Sequence, residues 1–580
     1  MSSAMMHRGP DGMKVEQVGE IVMGHTLLSV RGIPNRGVQP VLRGESQWAL
    51  SFNGEIYNTD ELETALGLGE DPGRPDTEVL YAAILHYGWQ FIQYIEGMFA
   101  IALYNKDEDK LCLYRDPSGQ KPLYYLVHQS ELYFASEIKA LSEVKGVDWE
   151  ADLGGIQWAA MCGFIPDRNT LVKGVQKLLP GEQVIWDNRA KSVSLKRIQN
   201  QNIQKPAGAN LREVIRRTVG KHLASSHPIA LNLSGGLDSA VLLYEVIKSG
   251  KEVVTYTSSY EESARKANTE LPLAKKLAKR FGVEHREIRV RKNDYWDRLI
   301  ESYTAVEEPN GNVAIPLYYY MAERQGIRGD GYRVVLTGCG GDELFYGYPH
   351  HDQNFRIDRW QSMLSAPIVN WLYQLRYRRK VALGQPVARW LFNRGNTGHW
   401  LTHDLEDPAN GRQDEQWAQD YIRAYGVSDE RAYHGLLMDR CAWLANENFV
   451  RMNKLYMRES TETRCPFAYS PLRDTVDRHL CQMPPRHRRR KRPLRELYAG
   501  RLPEYIINRE EKVGWHAPLG QWYTPKAKDL FIDLFSGRNG KWIDWKKIIE
   551  HVRSTNEWPG KKIHLYASLA VLSDQYNLSI

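Results

Sequence analysis

The sequence predicts two domains of different class. Residues 1–190 read as an α+β domain with antiparallel sheets, and 209–580 as an α/β domain built on a doubly wound parallel sheet. Three observations predict this. Short β-type runs broken by Gly, Asn, Asp and Pro turns fill the first 190 residues. From residue 228 onward, strands alternate with helices. Two of those later strands run into glycine-rich turns that carry acids.

In the first half the strand runs are WALSFNGEIYN (48–58), GMFAIALYN (97–105), KLCLYRD (110–116), PLYYLVHQS (122–130) and ELYFASEI (131–138). Helices are predicted at Asp60–Leu66 and Asp76–Tyr94, the latter because Thr77 to Phe91 places apolar residues at helical spacing. The polar stretch 191–208 reads as a linker. Beyond it come the strand PIALNLS (228–234), the helix DSAVLLYEVIKS (238–249), the strand VVTYTSS (253–259), the helix LPLAKKLAKRFG (271–282) and the strands EHREIRV (284–290) and YRVVLTG (332–338). Residues 350–460 read as mostly helical and rich in Trp, Tyr and Arg, and an apolar helix is expected near Leu565–Tyr576.

Composition sets the broad class. Of 580 residues, 42% are hydrophobic and 25% charged, the balance of a folded chain. Lys plus Arg exceeds Asp plus Glu by only 77 − 70 = 7, too weak a balance to argue for nucleic acid over the whole surface. A mean hydropathy of −0.52 and the lack of a long uncharged apolar run argue against a membrane span, and MSSAMMHRGPDG has no signal-peptide core. Six scattered cysteines without CxxC pairs suggest neither a disulfide framework nor a zinc site. A cytoplasmic multidomain enzyme is the expectation.

The sharpest motif is LNLSGGLDSA (231–240). A buried strand enters Ser234-Gly235-Gly236 and leaves as a helix through Asp238 and Ser239. Two glycines let backbone N–H groups close on an anion, and the helix N-terminus adds a favourable dipole. A carboxylate does not bind phosphate directly, so Asp238 is explained by a Mg²⁺ ion that bridges phosphates. The plain alternative is a tight strand-to-helix turn with a capping Asp or Ser. A second turn, YRVVLTGCGGDELFYGYP (332–349), again joins a strand to glycines and acids, Asp342 and Glu343. Two such strand ends in one parallel sheet make a ligand crevice at its carboxyl edge, with Asp238 and Asp342 as a two-carboxylate Mg²⁺ site for a nucleotide.

With these residues in view, the chain resembles glutamine-hydrolysing asparagine synthetases. SGGLDS is similar to the phosphate-loop signature of the ATP-pyrophosphatase superfamily. LTGCGGDELFYGYP, STETRCPF (460–467) and KRPLRE (491–496) resemble the synthetase half, while HRGPDG (7–12), FNGEIYN (52–58), GMFAIALYN, RDPSGQKPLYY (115–125) and FASEIKAL (134–141) resemble the glutaminase half. The resemblance implies an N-terminal-nucleophile hydrolase-like domain that frees ammonia from glutamine, and a tunnel that carries the ammonia. It also implies an ATP-pyrophosphatase domain that adenylates a carboxylate before nitrogen displaces AMP. Carried over by motif, ATP would be bound by Asn232, Leu233, Ser234, Gly235, Gly236, Ser239, Ser258, Thr337 and Gly338. Asp238 and Asp342 would hold Mg²⁺ and pyrophosphate, and Lys491 would stabilise charge in the adenylation transition state. Asn53, Gly54, Glu55 and Asp76 match glutamine-site residues.

Three departures bear on function. Family members begin Met-Cys-Gly and use that cysteine as the glutaminase nucleophile. None of the six cysteines here lies near the start, and Cys112 sits inside a strand run, so glutamine hydrolysis is not expected of the chain as written. Leu27 occupies the place of the arginine that grips the glutamine carboxylate. Cys339 replaces the glutamate of Gly-Glu-Gly beside the reacting carboxylate. A thiol cannot reproduce a glutamate's charge. Either it packs as a small residue while Glu307, Glu308 or Glu343 compensates, or the acceptor and incoming amine differ from aspartate and ammonia.

The run RHRRRKR (486–492) holds six Lys/Arg in seven residues, yet no nucleic-acid-binding module accompanies it. The expected activity is therefore a Mg·ATP-dependent amide-forming ligase acting on a small-molecule carboxylate with ammonia, glutamine or another amine. A β-lactam-synthetase-like enzyme of secondary metabolism and a non-catalytic scaffold are the alternatives. If the first strand of the N-terminal sheet lies upstream, the open edge would be covered in a homodimer.

Overall fold

The computed structural model of the chain describes residues 1–198, 210–261, 264, 267–352, 355, 431–509, 517–538, 540 and 542–580. The helical reading of 350–460 therefore falls largely outside the described residues, apart from 350–352, 355 and 431–460.

Ten strands build the first half: β1 (Gly12–Val18), β2 (Ile21–Leu27), β3 (Trp48–Ile56), β4 (Gly97–Asn105), β5 (Lys110–Arg115), β6 (Tyr124–His128), β7 (Glu131–Ala135), β8 (Val175–Lys177), β9 (Glu182–Asp187) and β10 (Ser192–Arg197). All their pairings are antiparallel, in the orders β1-β2, β10-β9-β5-β4-β3 and β7-β6-β8. The antiparallel expectation holds, and the five strand runs fall on β3 to β7. The stretch read as a linker from 191 is corrected: Ser192–Arg197 pairs with β9 along its full length. β10 is an edge strand exposed on both faces, so Val193 and Leu195 stand singly among polar residues and give no apolar run to find. The helix expected over Asp76–Tyr94 ends as α-helix at Tyr87, where Gly88 adopts φ +55°, and continues as a 3₁₀ turn through Gln93.

The second half carries β11 (Ile229–Asn232), β12 (Val254–Tyr260), β13 (His285–Val290), β14 (Val334–Leu336) and β15 (Glu462–Arg464). Every pairing is parallel, in the order β13-β12-β11-β14-β15. Order reverses at β11, where β12 lies on one side and β14 on the other, so a crevice opens beyond the ends of those strands. The helix Leu237–Lys248 follows β11 directly and buries nine of its residues, Leu237 and Ser239 to Val246. Helix Leu271–Phe281 stops at Gly282, φ +67°, with Val283 N–H bonded back to Ala278 O (3.1 Å).

The halves share cores. Val30, Tyr57 and Met98 pack with Leu231, Leu243 and Leu472, and Tyr124, Leu126 and Ile138 pack with Leu455 and Leu565. Buried charges also cross between them. Arg8 bonds both Glu137 and Asn453 (2.8 Å each), Lys121 bonds Glu462 (2.8 Å), and Arg464 bonds Glu55 (2.9 Å). The outer edge of β3 is capped from within the chain: Leu50 pairs with Val41, the Gln39 side chain bonds both N–H and C=O of Phe52, and Asp76 accepts from Ile56 N–H. Among the described residues no helix is long and apolar enough to cross a membrane.

Candidate active site

The glycine-rich turn after β11 is a small hydrogen-bonded cage. Ser239 Oγ accepts from Ser234 N–H (3.2 Å), lies 3.1 Å from Ser234 Oγ and donates to Gly236 O (3.2 Å); Ser234 Oγ accepts from Gly236 N–H (3.2 Å). Gly235 adopts φ +69°, and a Cβ there would lie 2.8 Å from Leu273 Cβ, so a side chain is excluded on both counts. Helix Leu237–Lys248 starts on this turn with Asp238 in its first turn.

The second loop closes on the first. A Cβ on Gly338 would lie 3.0 Å from Asp238 Cβ, and one on Gly341 would lie 2.4 Å from Asp238 Cγ. Glycine at both places lets the Asp342 loop lie against Asp238. Lys491 then enters from a third element: Nζ is ion-paired with Asp238 and lies 2.7 Å from Asp342 Oδ1. Lys491 and Arg490 both hold positive φ (58° and 51°), a costly backbone that the fold over-determines. Arg490 N–H bonds Tyr346 O (3.0 Å) and Lys491 N–H bonds Phe345 O (3.1 Å), so the loop carrying Asp342 also aims the lysine. The paired carboxylates outweigh burial and hold the Lys491 ammonium well above its ordinary pKa.

The other expected ATP residues lie on β11, on β12 and on the loops that follow β11 and β14. Asn232 is tied into a ring: its amide donates to Tyr456 OH (2.9 Å), Tyr456 OH donates to Gln325 (2.8 Å), and Gln325 donates back to Asn232 Oδ1 (2.7 Å). Leu233 N–H bonds Tyr256 O (2.8 Å), and Thr337 N–H bonds Arg464 O (3.0 Å), so these backbones are held within the sheet. β11 ends at Asn232 opposite Tyr256, so Ser258 lies two residues further along β12, in register with Ile288.

The groups in direct contact with the Cys339 sulfur are uncharged. Thr337 Oγ1 donates to its sulfur (3.3 Å), which lies 3.3 Å from Met452 Sδ and 3.8 Å from Asn448 Oδ1. Burial pushes the thiol up to about 11, so it is a neutral group rather than a thiolate. Two of the acids considered as compensating for it are engaged elsewhere. Glu307 pairs with Lys454 (2.8 Å) and Glu308 with Lys177 (2.6 Å), each buried within a separate ion pair. Glu343, whose charge acts on the Cys339 thiol, accepts from Tyr348 OH (2.5 Å).

Some contributors had no sequence signal. Arg464 lies in STETRCPF, but only the fold shows its guanidinium spanning Glu55, Glu462 (2.9 Å) and the carbonyls of His222 (2.9 Å) and Ala224 (2.6 Å). Asp352 ties down Arg490 (2.7 Å).

A cavity of about 700 Å³ lies in the first half, with Leu27, Asn53, Gly54, Glu55 and Asp76 on its wall together with Met457 and Glu462 from the second half. The four expected glutamine-site residues are thus together. Asn53 donates to Ser136 Oγ (3.2 Å), and Asp76 accepts Ile56 N–H (2.9 Å). Burial, then the neighbouring Asp76, pushes Glu55 up to about 8 in spite of Arg464 and Arg31. Leu27 adds no charge, and Arg31 on the same wall is bonded to Glu55 (3.1 Å) and Thr59 (2.8 Å).

Residues 210–572 match the family model for asparagine synthase, and residues 1–197 match that for the glutamine amidotransferase domain. The chain belongs to the asparagine synthase family. It is 27% identical over 557 residues to asparagine synthetase [glutamine-hydrolyzing] 1 of Bacillus subtilis, covering 90% of this chain and 84% of that protein. A putative asparagine synthetase [glutamine-hydrolyzing] of Mycobacterium tuberculosis is 26% identical over 566 residues, with the same coverage. Amidase chry2 of Gibberella zeae is 28% identical over 397 residues, covering 63% of this chain and 56% of that protein. The chain is a carbon–nitrogen ligase that uses ATP.

Proposed function

We propose that the second half adenylates a carboxylate with Mg·ATP and that a nitrogen nucleophile then displaces AMP, giving an amide, AMP and pyrophosphate. The observation that carries this reading is the meeting of Asp238, Asp342 and Lys491, from three separate elements, at the carboxyl edge of the parallel sheet. An acceptor carboxylate oxygen attacks the α-phosphorus of ATP and the bond to pyrophosphate breaks. The nitrogen lone pair then attacks the acyl carbon, and AMP leaves with the electron pair.

Mg²⁺ fits the donor set, because two carboxylates already converge on one cation and glycines at 341 and 347 leave their faces clear of Cβ atoms. Asp238 and Asp342 would hold it, and when bound it neutralises phosphate charge. Lys491 holds a fixed positive charge where negative charge builds up on the phosphoryl oxygens. Ser234, Gly235, Gly236 and Ser239 cradle the leaving pyrophosphate, and Asn232, Leu233, Ser258, Thr337 and Gly338 form the surrounding nucleotide wall.

Aspartate and ammonia are the first substrates to test. Leu27 on the cavity wall supports a glutaminase-like domain that does not supply the ammonia. A second reading, an acceptor and amine other than aspartate and ammonia, is favoured by the neutral Cys339 thiol beside the adenylation loop. The test is ATP-dependent pyrophosphate release by the purified chain. Release and asparagine with aspartate plus ammonium, but not plus glutamine, support the first reading. ATP binding without release on aspartate supports the second, and no ATP binding overturns both.

A further inference from the structure

Beside the Asp342 loop, and absorbed by none of the chemistry above, two imidazoles and a carboxylate meet. His351 Nε2 lies 2.9 Å from Asp439 Oδ2, and His350 Nε2 lies 2.5 Å from the same oxygen. The side chains of His351 and Asp439 are 0% exposed, while that of His350 is 18% exposed, so the cluster is closed on two sides and reachable from the third. The His350 and His351 rings stand 4.5 Å apart at 69°, and His350 stacks on Tyr348 at 14°, which fixes both ring planes. Asp439 opens the π-helical stretch Asp439–Asn448, the kind of widened turn that recurs at functional sites.

We propose that His350, His351 and Asp439 form a three-ligand site for a divalent transition-metal ion of the Zn²⁺ or Co²⁺ kind. The donor set is two imidazole nitrogens and one carboxylate oxygen, which suits those ions and not Mg²⁺, whose preference is for oxygen alone. Ligands about 2.1 Å from a tetrahedral ion stand roughly 3.4 Å apart, so the Nε2–Oδ2 separations of 2.9 and 2.5 Å need to open by about 0.5 and 0.9 Å, within reach of side-chain rotation. The exposed flank of His350 leaves the fourth position to water.

The proton count is balanced. Tyr348 N–H donates to His351 Nδ1 (3.3 Å), so in the metal-free form the His351 proton is on Nε2 and is donated to Asp439. Metal entry moves that proton to Nδ1, gives up the long bond from Tyr348 N–H and leaves the imidazole neutral. His350 Nε2, which in the metal-free form also carries the proton toward that carboxylate oxygen, likewise gives it up to Nδ1 by a change of tautomer and binds through the freed Nε2 lone pair. The consequence is a clamp. His350 and His351 follow the loop that carries Asp342, and Asp439 begins a different segment, so the ion would tie that loop down as Asp352 does through Arg490.

The experiment is equilibrium dialysis of the full chain against ZnCl2, followed by metal analysis, with CoCl2 as a spectroscopic probe. The expected result is one zinc per chain and the intense visible absorption of four-coordinate cobalt. His351→Ala and Asp439→Asn should each weaken zinc binding at least 10-fold, and His350→Ala, at the partly exposed ligand, should do so without unfolding. Asp238→Asn and Asp342→Asn should leave zinc binding unchanged, which separates this site from the nucleotide carboxylates. Wild-type protein that binds no zinc, or unchanged stoichiometry and affinity in folded His350→Ala, would overturn the proposal. Neither result bears on the ligase reading, because the readout is metal content and not turnover.

Discussion

Lys491 Nζ lies 2.7 Å from Asp342 Oδ1, and the loop that carries Asp342 also supplies the carbonyls that hold the lysine backbone in place. Cation and carboxylate are therefore positioned as one unit. Replacing Lys491 with Ala should lower ATP-dependent pyrophosphate release about 100- to 1000-fold, the loss usual for one preorganised charge in a water-poor site. ATP affinity, measured by calorimetry, should change much less. Equal losses in ATP affinity and turnover would show that the lysine serves binding rather than the transition state.

A subtler change tests the same unit. A Cβ on Gly347 would lie 1.9 Å from Asp342 Oδ1 and 2.4 Å from Lys491 Cε. Gly347→Ala must push the pair apart while leaving every charged group in the chain. Displacement of about 1 Å is enough for roughly 100-fold in rate, so release should fall by that order with thermal stability little altered. Unchanged turnover in the folded variant would refute the assigned geometry.

Legibility followed period and apolarity. PIALNLS, VVTYTSS and YRVVLTG stand out because central parallel strands are apolar on both faces, and SGGLDS because glycine and acid at a strand end have few structural explanations. β10 and β15 do not stand out. Ser192–Arg197 is an exposed edge, and Glu462–Arg464 is three buried polar residues whose charges are matched by one another and by Lys121 and Glu55, far away in the chain. The same is true of the site. Asp238, Asp342 and Lys491 could be named from their motifs, whereas the Asn232–Gln325–Tyr456 ring and the His350–His351–Asp439 cluster depend on tertiary contacts that no local pattern encodes.

The buried charges between the halves predict a stability effect. Arg464 is 0% exposed and bonds both Glu55 and Glu462. Arg464→Ala leaves the Glu462 carboxylate facing a gap with Lys121 as its remaining ion-pair partner, and takes a hydrogen-bond donor from the Glu55 carboxyl. Removing one partner of such a group costs about 3–5 kcal/mol. Chemical denaturation should show that loss. A change below about 1 kcal/mol would mean that water or a shifted Lys121 replaces the guanidinium.

Cys339 supplies a chemical test. With the thiol pushed up to about 11, its iodoacetamide labelling should be slow at pH 8 and should rise about tenfold per pH unit through pH 10, whereas exposed Cys481 labels readily. Peptide mapping after timed labelling reads each cysteine separately. Fast labelling of Cys339 at pH 8 would mean an activated thiolate and overturn the neutral-thiol assignment.

Glu55 gives the pH dependence. Its folded pKa of about 8 lies above the ordinary 4.5, so between those values the folded state binds the proton more tightly than the unfolded chain does. Stability from this group is thus greatest at low pH and is lost as pH rises toward 8. Buried His25 and His222 have folded pKa values lowered to about 4 and about 3, from 6.5, and His564 is lowered to about 3 as well, with His227, His285 and His351 lowered in the same sense, so their effect runs the other way and tails off between pH 7 and 8. The carboxyl is therefore read as the difference between wild type and Glu55→Gln across that window. Across it the wild-type unfolding free energy should fall by about 1 kcal/mol relative to that of Glu55→Gln, given 1.36 kcal/mol per unit of pH for one proton. If wild type and variant run parallel through that window, the carboxyl is already ionised at neutral pH and Arg464 outweighs its burial.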